Sequence, residues 1–380
     1  MERIRIAHIV QCAGGVDVYL RMLFAHMDRD RFEQILICST DYSYDRYRPL
    51  VDYFEQIPMY NALSLKRDVA AVFSVRRLIR SYRPNIVYCH SSKGGGIGRL
   101  ACLGLSVPVL YNPHGWAFSM KGAKWKSRLY LILEKLLAPH TDKYVVISYY
   151  EKMVALQKRV CSAETIQVIY NGIELCEEVR RPHVASLSRE SLGIPQHAYV
   201  IGMAGRLSAQ KAPDVFVRMA SRIRRILPNA YFMIVGDGED RKIIEQQIET
   251  SGLKDCFLIT GWQSSPLPYM ALVDQAVLLS RWEGFGLVLA EFMQLGKPIV
   301  ATNVNAIPEL VIDYENGILV PCDDDEQAAN AVLTIYNDPS LKDKFIRNGF
   351  RRCKALFDIR RVAEEHERLF VKLVEHSDGQ

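Results

Sequence analysis

Residues 275–291 read Gln275-Ala276-Val277-Leu278-Leu279-Ser280-Arg281-Trp282-Glu283-Gly284-Phe285-Gly286-Leu287-Val288-Leu289-Ala290-Glu291. An apolar run, a Gly-Phe-Gly turn and an apolar helix start follow one another without a break. This is the strand–loop–helix unit of a parallel sheet, where ligands bind beyond the carboxyl ends of strands. The glycines let a ligand approach the backbone, and a helix N-terminus directly behind them favours phosphate. A carboxylate accepts two hydrogen bonds from a vicinal diol, so acids beside a phosphate cradle point to a nucleotide sugar. If the helix begins near Gly286, Glu283 lies in the loop before it. Glu291 then falls roughly 7 Å along the axis at ~1.5 Å per residue, about the distance from a pyrophosphate to its ribose. Glu283 therefore points toward the transferred group and Glu291 toward the ribose.

The same alternation extends in both directions. Ile4–Val10, Gln34–Cys38, Asn85–His90, Pro108–Asn112 and Tyr144–Ser148 read as strands, with helices over Val16–Met27, Val69–Tyr82, Ile97–Leu105 and Lys124–Leu137. The pattern breaks into a charged, Pro-containing stretch and then restarts. Tyr199–Met203, Tyr231–Val235, Phe257–Thr260, Gln275–Leu279 and Pro298–Thr302 are strands; Asp214–Leu227, Glu239–Ser251, Leu287–Leu295 and Asp325–Asn337 are helices. At 380 residues two domains are expected. The reading is α/β: a Rossmann-like domain over 1–175, a linker over 176–195, and a second Rossmann-like domain over 196–358. A closing helix over 359–380 is placed to pack back on the first. Two doubly wound parallel sheets would face each other across a cleft.

Composition limits the function classes. A chain 49% hydrophobic and 24% charged is that of a soluble globular protein. No apolar run approaches eighteen residues, and the strand-like opening Ile4–Val10 does not read as a signal peptide. Nine scattered cysteines without a Cys-x-x-Cys pair fit free thiols and a cytoplasmic location. The net charge of +5 is uneven: 25 Lys and Arg against 17 Asp and Glu through residue 180, then 23 against 26. Between Tyr60 and Lys135 thirteen bases meet only Asp68 and Glu134. Lys121-Gly122-Ala123-Lys124-Trp125-Lys126-Ser127-Arg128-Leu129-Tyr130 mixes bases with aromatics, which suits an anionic membrane face or a lipid-linked diphosphate as well as an ordinary solvated face. No nucleic-acid motif accompanies the charge.

Other candidates sit at predicted strand ends. Arg206 and Lys211, in Gly205-Arg206-Leu207-Ser208-Ala209-Gln210-Lys211, could neutralise a departing diphosphate; alone they would read equally as surface cations. Gly14-Gly15 lacks the full dinucleotide fingerprint but allows close backbone approach. His114, in Asn112-Pro113-His114-Gly115, could bond a donor sugar by its ring or orient it by its carbonyl. His8 and His90, inside strands, read as structural, and Asn171-Gly172 as a turn. No His/Cys cluster has metal-ligand spacing. The paired acids Asp28/Asp30 and Asp323–Asp325 read as caps or solvated loops.

This constellation resembles family 4 glycosyltransferases. The resemblance rests on Glu283-x7-Glu291 with Gly284-Phe285-Gly286, Gly205-Arg206-Leu207 with Lys211, Gly14-Gly15 and His114-Gly115. Tyr170-Asn171-Gly172-Ile173 and Asn316-Gly317-Ile318-Leu319-Val320 are similar to further family landmarks, and Leu279-Ser280 stands where the family often has Pro-Ser. The match runs nearly end to end. It implies the GT-B fold and retaining transfer of a hexosyl or N-acetylhexosaminyl group from a nucleotide sugar, UDP-linked on family frequency, without cofactor or catalytic metal. By that resemblance Arg206 and Lys211 hold the diphosphate, Glu291 the ribose and Glu283 the donor sugar. Gly205, Gly284, Phe285, Gly286 and Leu287 belong to the donor cradle, and His114 and Gly14-Gly15 complete it. Retention implies front-face attack, with the donor phosphate accepting the acceptor's proton. His90-Ser91-Ser92-Lys93-Gly94-Gly95-Gly96-Ile97-Gly98-Arg99 resembles bacterial polysaccharide-assembly members. That similarity implies surface polysaccharide synthesis on a lipid-linked glycan acceptor at the inner membrane face, with Lys93 an acceptor-side contact. A nucleotide-sugar epimerase and a non-catalytic sugar-nucleotide-binding subunit are the competing readings.

Overall fold

The computed structural model describes residues 3–11, 14–60, 62, 64–119, 123–175 and 187–378, with side chains as far as Glu375. Two compact units emerge: Met1–Glu174 with Ile359–Gln380, and Leu175–Asp358. The stretch read as a linker lies outside the described residues from 176 to 186; its remainder holds a short turn of helix at Glu190–Leu192.

In the first unit the chain runs β1 (Ile4–Val10), α1 (Gly15–His26), β2 (Phe32–Cys38), α2 (Tyr44–Tyr47), β3 (Tyr53–Gln56), α3 (Leu65–Tyr82), β4 (Ile86–His90), α4 (Ser92–Ala101), β5 (Val109–Asn112), α5 (Lys124–Leu137), β6 (Lys143–Val146), α6 (Tyr149–Gln157) and β7 (Ile166–Val168). Its sheet is parallel, ordered β3-β2-β1-β4-β5-β6-β7. Strands β2, β4 and β5 are buried throughout, which is why they read as apolar runs rather than alternating ones. The second unit continues β8 (Tyr199–Ala204), α7 (Pro213–Ile226), β9 (Ala230–Val235), α8 (Arg241–Thr250), β10 (Phe257–Ile259), α9 (Leu267–Ala271), β11 (Gln275–Leu278), α10 (Leu287–Gln294), β12 (Ile299–Thr302), α11 (Ile307–Leu310), β13 (Ile318–Val320), α12 (Asp325–Asn337) and α13 (Pro339–Leu356). Its parallel sheet runs β10-β9-β8-β11-β12-β13. The last helix, α14 (Ile359–Asp378), belongs to the first unit.

Both sheets thus contain the doubly wound order 3-2-1-4-5-6. Such a sheet reverses winding beside its first strand, leaving a crevice at the carboxyl ends of the two strands flanking the reversal. The reversals fall between β1 and β4 and between β8 and β11. Gly14-Gly15, Lys93, Gly205-Arg206 and Glu283 all come directly after one of those four strands.

Helices bury one stripe each. On α7, Val215, Phe216, Met219, Ala220 and Ile223 are buried, with Pro213 at the first turn where its missing N–H costs nothing. Ser148, Asp324 and Asp338 cap α6, α12 and α13 by accepting a backbone N–H three residues on, as was expected of the Asp323–Asp325 acids. On one face of the first sheet, α1 and α14 share a core of Leu20, Phe24, Val362 and Phe370. On the other face Val75, Ile97, Tyr111 and Trp116 pack with Ala155. Gly172 admits α14 closely: a Cβ there would stand 2.7 Å from the Ile359 Cα.

The differences from the sequence reading are local. The edge strands β3, β7 and β13 are only three or four residues long, too short to stand out as apolar runs. Helix α4 begins at Ser92 rather than Ile97 and ends at Ala101. Its Gly94-Gly95-Gly96 run reads as loop because glycine has poor helix propensity. Tertiary packing selects glycine there: Cβ atoms at 94 and 95 would lie 3.0 Å from the Ile9 carbonyl oxygen and 2.2 Å from the Tyr111 ring.

Candidate active site

In the second unit, the loops after β8 and β11 are joined by backbone and side-chain bonds. The Arg281 amide donates to the Gln210 carbonyl at 2.8 Å, and Gln210 Nε2 to the Trp282 carbonyl at 3.0 Å. Arg281 also reaches the Ala209 carbonyl, Asp214 and Asp323, all within 2.9 Å. These contacts bring Lys211 onto Glu283, whose carboxylate it pairs with. Glu283 is buried, accepts a second bond from Ser280 Oγ at 2.8 Å, and donates its amide to Asn305 Oδ1 at 3.1 Å. Two acceptor bonds on one carboxylate oxygen hold the group firmly against the loop.

Glu291 is the fifth residue of α10, as the spacing predicts. Burial raises its carboxyl above the ordinary range, and the nearby Lys211 charge opposes that rise. Lys211 therefore serves two acids. Gly286, at φ 89°, opens α10, and Phe285 is buried edge-on against Phe357 with ring centres 5.5 Å apart. Gly284 and Leu287 stand either side of this turn, partly exposed. Phe285 is thus an anchor for the loop, leaving Gly284 as the partly exposed glycine of the turn.

Gly205 lies at φ 147°, and a Cβ there would meet the stem of Lys211 at 3.4 Å. Arg206 is largely exposed and pairs with Glu239 at 2.8 Å, a solvated contact that an anion can replace at small cost. Glycine turns and contacts between loops hold this corner together. Gly236 is at φ 149°, and a Cβ on it would clash with the Gly205 carbonyl oxygen at 2.0 Å. Arg281 and Asn305 carry no motif of their own; their roles come from contacts between separate loops.

In the first unit, Gly14 (φ 109°) precedes α1, and both Gly14 and Gly15 are exposed with open space where side chains would stand. His114 sits in a tight bend: φ is 49°, its amide donates to Asn112 Oδ1 at 2.9 Å, and Gly115 comes next at φ 111°. Its Nε2 lies 3.1 Å from His90 Nδ1, so that nitrogen is already engaged. Lys93 reaches the carboxyl end of β4 but is committed to Asp68, at 2.7 Å, and to the Ala62 carbonyl. Of the basic aromatic segment, Lys121 and Gly122 lie outside the described residues, while Lys124–Tyr130 begin α5. Among the described residues no group of three or more His, Cys, Asp or Glu is arranged to hold a metal ion. None of the described helices is long and apolar enough to cross a membrane.

Two family models match: "Glycosyltransferase Family 4" over residues 13–177 and "Glycosyl transferases group 1" over residues 185–352. The chain is 28% identical over 379 residues to the UDP-Gal:alpha-D-GlcNAc-diphosphoundecaprenol alpha-1,3-galactosyltransferase of Escherichia coli, covering 94% of this chain and 96% of that one. It is 27% identical to the putative glycosyltransferase EpsD of Bacillus subtilis, covering 83% and 84%. In fold it is similar to Anabaena HepE solved with UDP-glucose, at a TM-score of 0.82 and 22% identity, over 97% of this chain and 99% of that one. The matched segments and the two doubly wound sheets agree along the length of the chain, which is a glycosyltransferase of family 4 built on the two Rossmann-like domains of the GT-B fold.

Proposed function

We propose that this glycosyltransferase moves a hexosyl or N-acetylhexosaminyl group from a UDP-sugar to a lipid-linked glycan, with retention of configuration, in surface polysaccharide synthesis. The observation that carries the reading is the Lys211–Glu283 pair beside Glu291 at the strand ends of the second unit. Arg206 and Lys211 neutralise the diphosphate as the bond from the anomeric carbon to the phosphate oxygen breaks. The acceptor oxygen forms its new bond from the same face, and its proton passes to the departing phosphate oxygen. Glu291 accepts from the ribose hydroxyls. Glu283, held by Ser280 and Lys211, keeps an oxygen for the donor sugar. From the first unit, His114 bonds the donor sugar and the Gly14-Gly15 backbone approaches the diphosphate. The Escherichia coli relative's name, with its UDP-linked donor and diphosphoundecaprenol-linked acceptor, supports this choice of substrates.

A membrane-facing role is supported by α5. Among its residues only Glu134 is buried, tied to Arg99 at 2.9 Å and to the Tyr111 hydroxyl at 2.9 Å. That anchor turns an apolar stripe outward: Trp125, Leu129, Ile132, Leu133 and Leu136 are all exposed, flanked by Lys124, Lys126, Arg128 and Lys135. An exposed apolar stripe bordered by cations fits an anionic lipid surface.

The deciding experiment incubates the purified protein with UDP-, GDP- and ADP-sugars and a lipid-diphosphate-linked GlcNAc acceptor, reading product and anomeric configuration by NMR. A glycoside with the donor's configuration is expected. Inverted product removes retention, isomerised nucleotide sugar without glycoside favours an epimerase, and binding without turnover favours a non-catalytic subunit.

A further inference from the structure

Beneath His114 lies a row of buried polar groups that the reaction so far leaves unused. Gln34 Oε1 is 2.8 Å from His8 Nε2, His8 Nδ1 is 3.1 Å from His90 Nε2, and His90 Nδ1 is 3.1 Å from His114 Nε2. The strand register explains the row. Gln34 on β2 is level with Ile6 on β1; His8 is level with Tyr88 on β4; His90 is level with Asn112 on β5. The steps from Gln34 to His8 and from His8 to His90 each cross to the next strand and climb two residues toward the carboxyl edge, which keeps side chains on one face. The last step leaves β5 for the bend at His114. The diagonal begins inside the sheet and emerges at His114.

We propose that Gln34, His8 and His90 are positioning residues that fix His114 in its Nε2–H tautomer, so that its Nδ1 presents a lone pair to a hydroxyl of the transferred sugar. The sugar contact rests on the donor-site reading above; the relay itself does not.

The tautomers are set from one end. A carbonyl oxygen can only accept, so His8 Nε2 carries the hydrogen facing Gln34. A neutral imidazole has one donor and one acceptor, so His8 Nδ1 is bare and accepts from His90 Nε2–H. By the same step His90 Nδ1 accepts from His114 Nε2–H, and the lone pair appears on His114 Nδ1. Such a relay needs neutral rings, and burial supplies them. His8 and His114 are pushed down to about 3 and His90 well below its ordinary value, chiefly by loss of solvent. The remaining neighbours are uncharged. Tyr19 of α1 meets the His114 ring edge-on at 4.9 Å, and Tyr88 lies 4.1 Å from the His90 ring. Both tyrosine hydroxyls turn instead to His366 Nε2 of α14, each at 3.1 Å. The Gln34 Nε2 is buried without a partner. An amide kept there at the expense of an unpaired N–H₂ group is explained by the single bond its oxygen makes.

The test uses the full chain with 15N-labelled histidine, and needs no substrate for its first part. Long-range proton–nitrogen spectra are expected to show His8, His90 and His114 as Nε2–H, unchanged between pH 8 and 5. Gln34→Met removes the acceptor with little change of shape and should leave His114 as a mixture of tautomers. With UDP-galactose as donor probe, this variant should lose about tenfold in kcat/KM while its affinity for UDP alone is unchanged. Thermal unfolding run in parallel separates this loss from misfolding. Nδ1–H at His114 in the unaltered protein, independent titration of the rings near 6.5, or full turnover in a Gln34→Met protein whose tautomers have scrambled would each overturn the relay's role. His114→Phe with full turnover would instead remove the sugar contact, a failure visible while the ring-nitrogen spectra of His8 and His90 stay as expected.

Discussion

The carboxyl ends of the two sheets are built from opposite materials. In the second unit the reversal between β8 and β11 carries Arg206, Lys211, Glu283 and Glu291, with Lys211 paired to the buried Glu283. In the first unit the equivalent end carries a glycine turn and a histidine whose ring is hydrogen-bonded back into a neutral, buried row. On the proposed function, the charged end suits a donor's diphosphate and the neutral end suits sugar hydroxyls. A diphosphate that gains charge as it departs needs fixed cations, whereas a sugar offers only hydroxyls, and neutral donors and acceptors recognise those without a counter-charge. One topology therefore carries two kinds of chemistry at its strand ends, set by the loop that follows each strand.

The comparison predicts different failures for the two ends. Lys211→Ala removes the cation and leaves Glu283 buried beside Ser280 alone. Turnover should fall on the order of 10³-fold, and stability by about 3 kcal/mol, measured by donor kinetics and urea unfolding. Arg206→Ala, at an exposed position, should cost on the order of 10²-fold in turnover with no measurable change in unfolding. If both variants retain normal kinetics, the charged end is not the donor site.

The neutral end should fail with acid instead. Burial pushes His8 and His114 down to about 3 and His366 down to about 4, from 6.5 in the unfolded chain, and lowers His90 as well. The unfolded chain thus binds more protons below pH 6.5. The stability these neutral rings contribute is full above that pH and is lost as pH falls toward 4. With four such groups the slope approaches roughly 5 kcal/mol per pH unit below about pH 5.5. Hydrogen exchange on intact protein should show the first unit opening before the second as pH is lowered from 7 to 4.5; simultaneous opening would count against the neutral row. The smallest effect belongs to α5. Trp125→Ser with Leu136→Ser should change unfolding by less than about 0.5 kcal/mol, since both side chains are exposed. The double variant should nevertheless sediment several-fold less with phosphatidylglycerol vesicles; equal sedimentation would leave the stripe without a lipid role.

Much of the charged end was legible because its signal is local. Glu283, Gly286 and Glu291 lie within one strand–loop–helix unit, and helix geometry alone assigns their order along a ligand. Arg206 and Lys211 were likewise marked by a glycine after a strand. Arg281 and Asn305 were not, since each acts on a loop that is distant in sequence. Lys93 was an acceptor-side candidate by resemblance, and α3 supplies it with Asp68.

The neutral end shows the limit most clearly. Sequence alone determined that strands and helices alternate twice, that acids and bases come after particular strands, and hence which family the chain resembles, because periodicity and short-range spacing are properties of the chain itself. His8 and His90 read as ordinary core histidines, since no local pattern links positions 8, 34, 90 and 114. Only the pairing of β2, β1, β4 and β5 sets them on one diagonal, because register between strands is settled by long-range burial rather than by neighbouring residues.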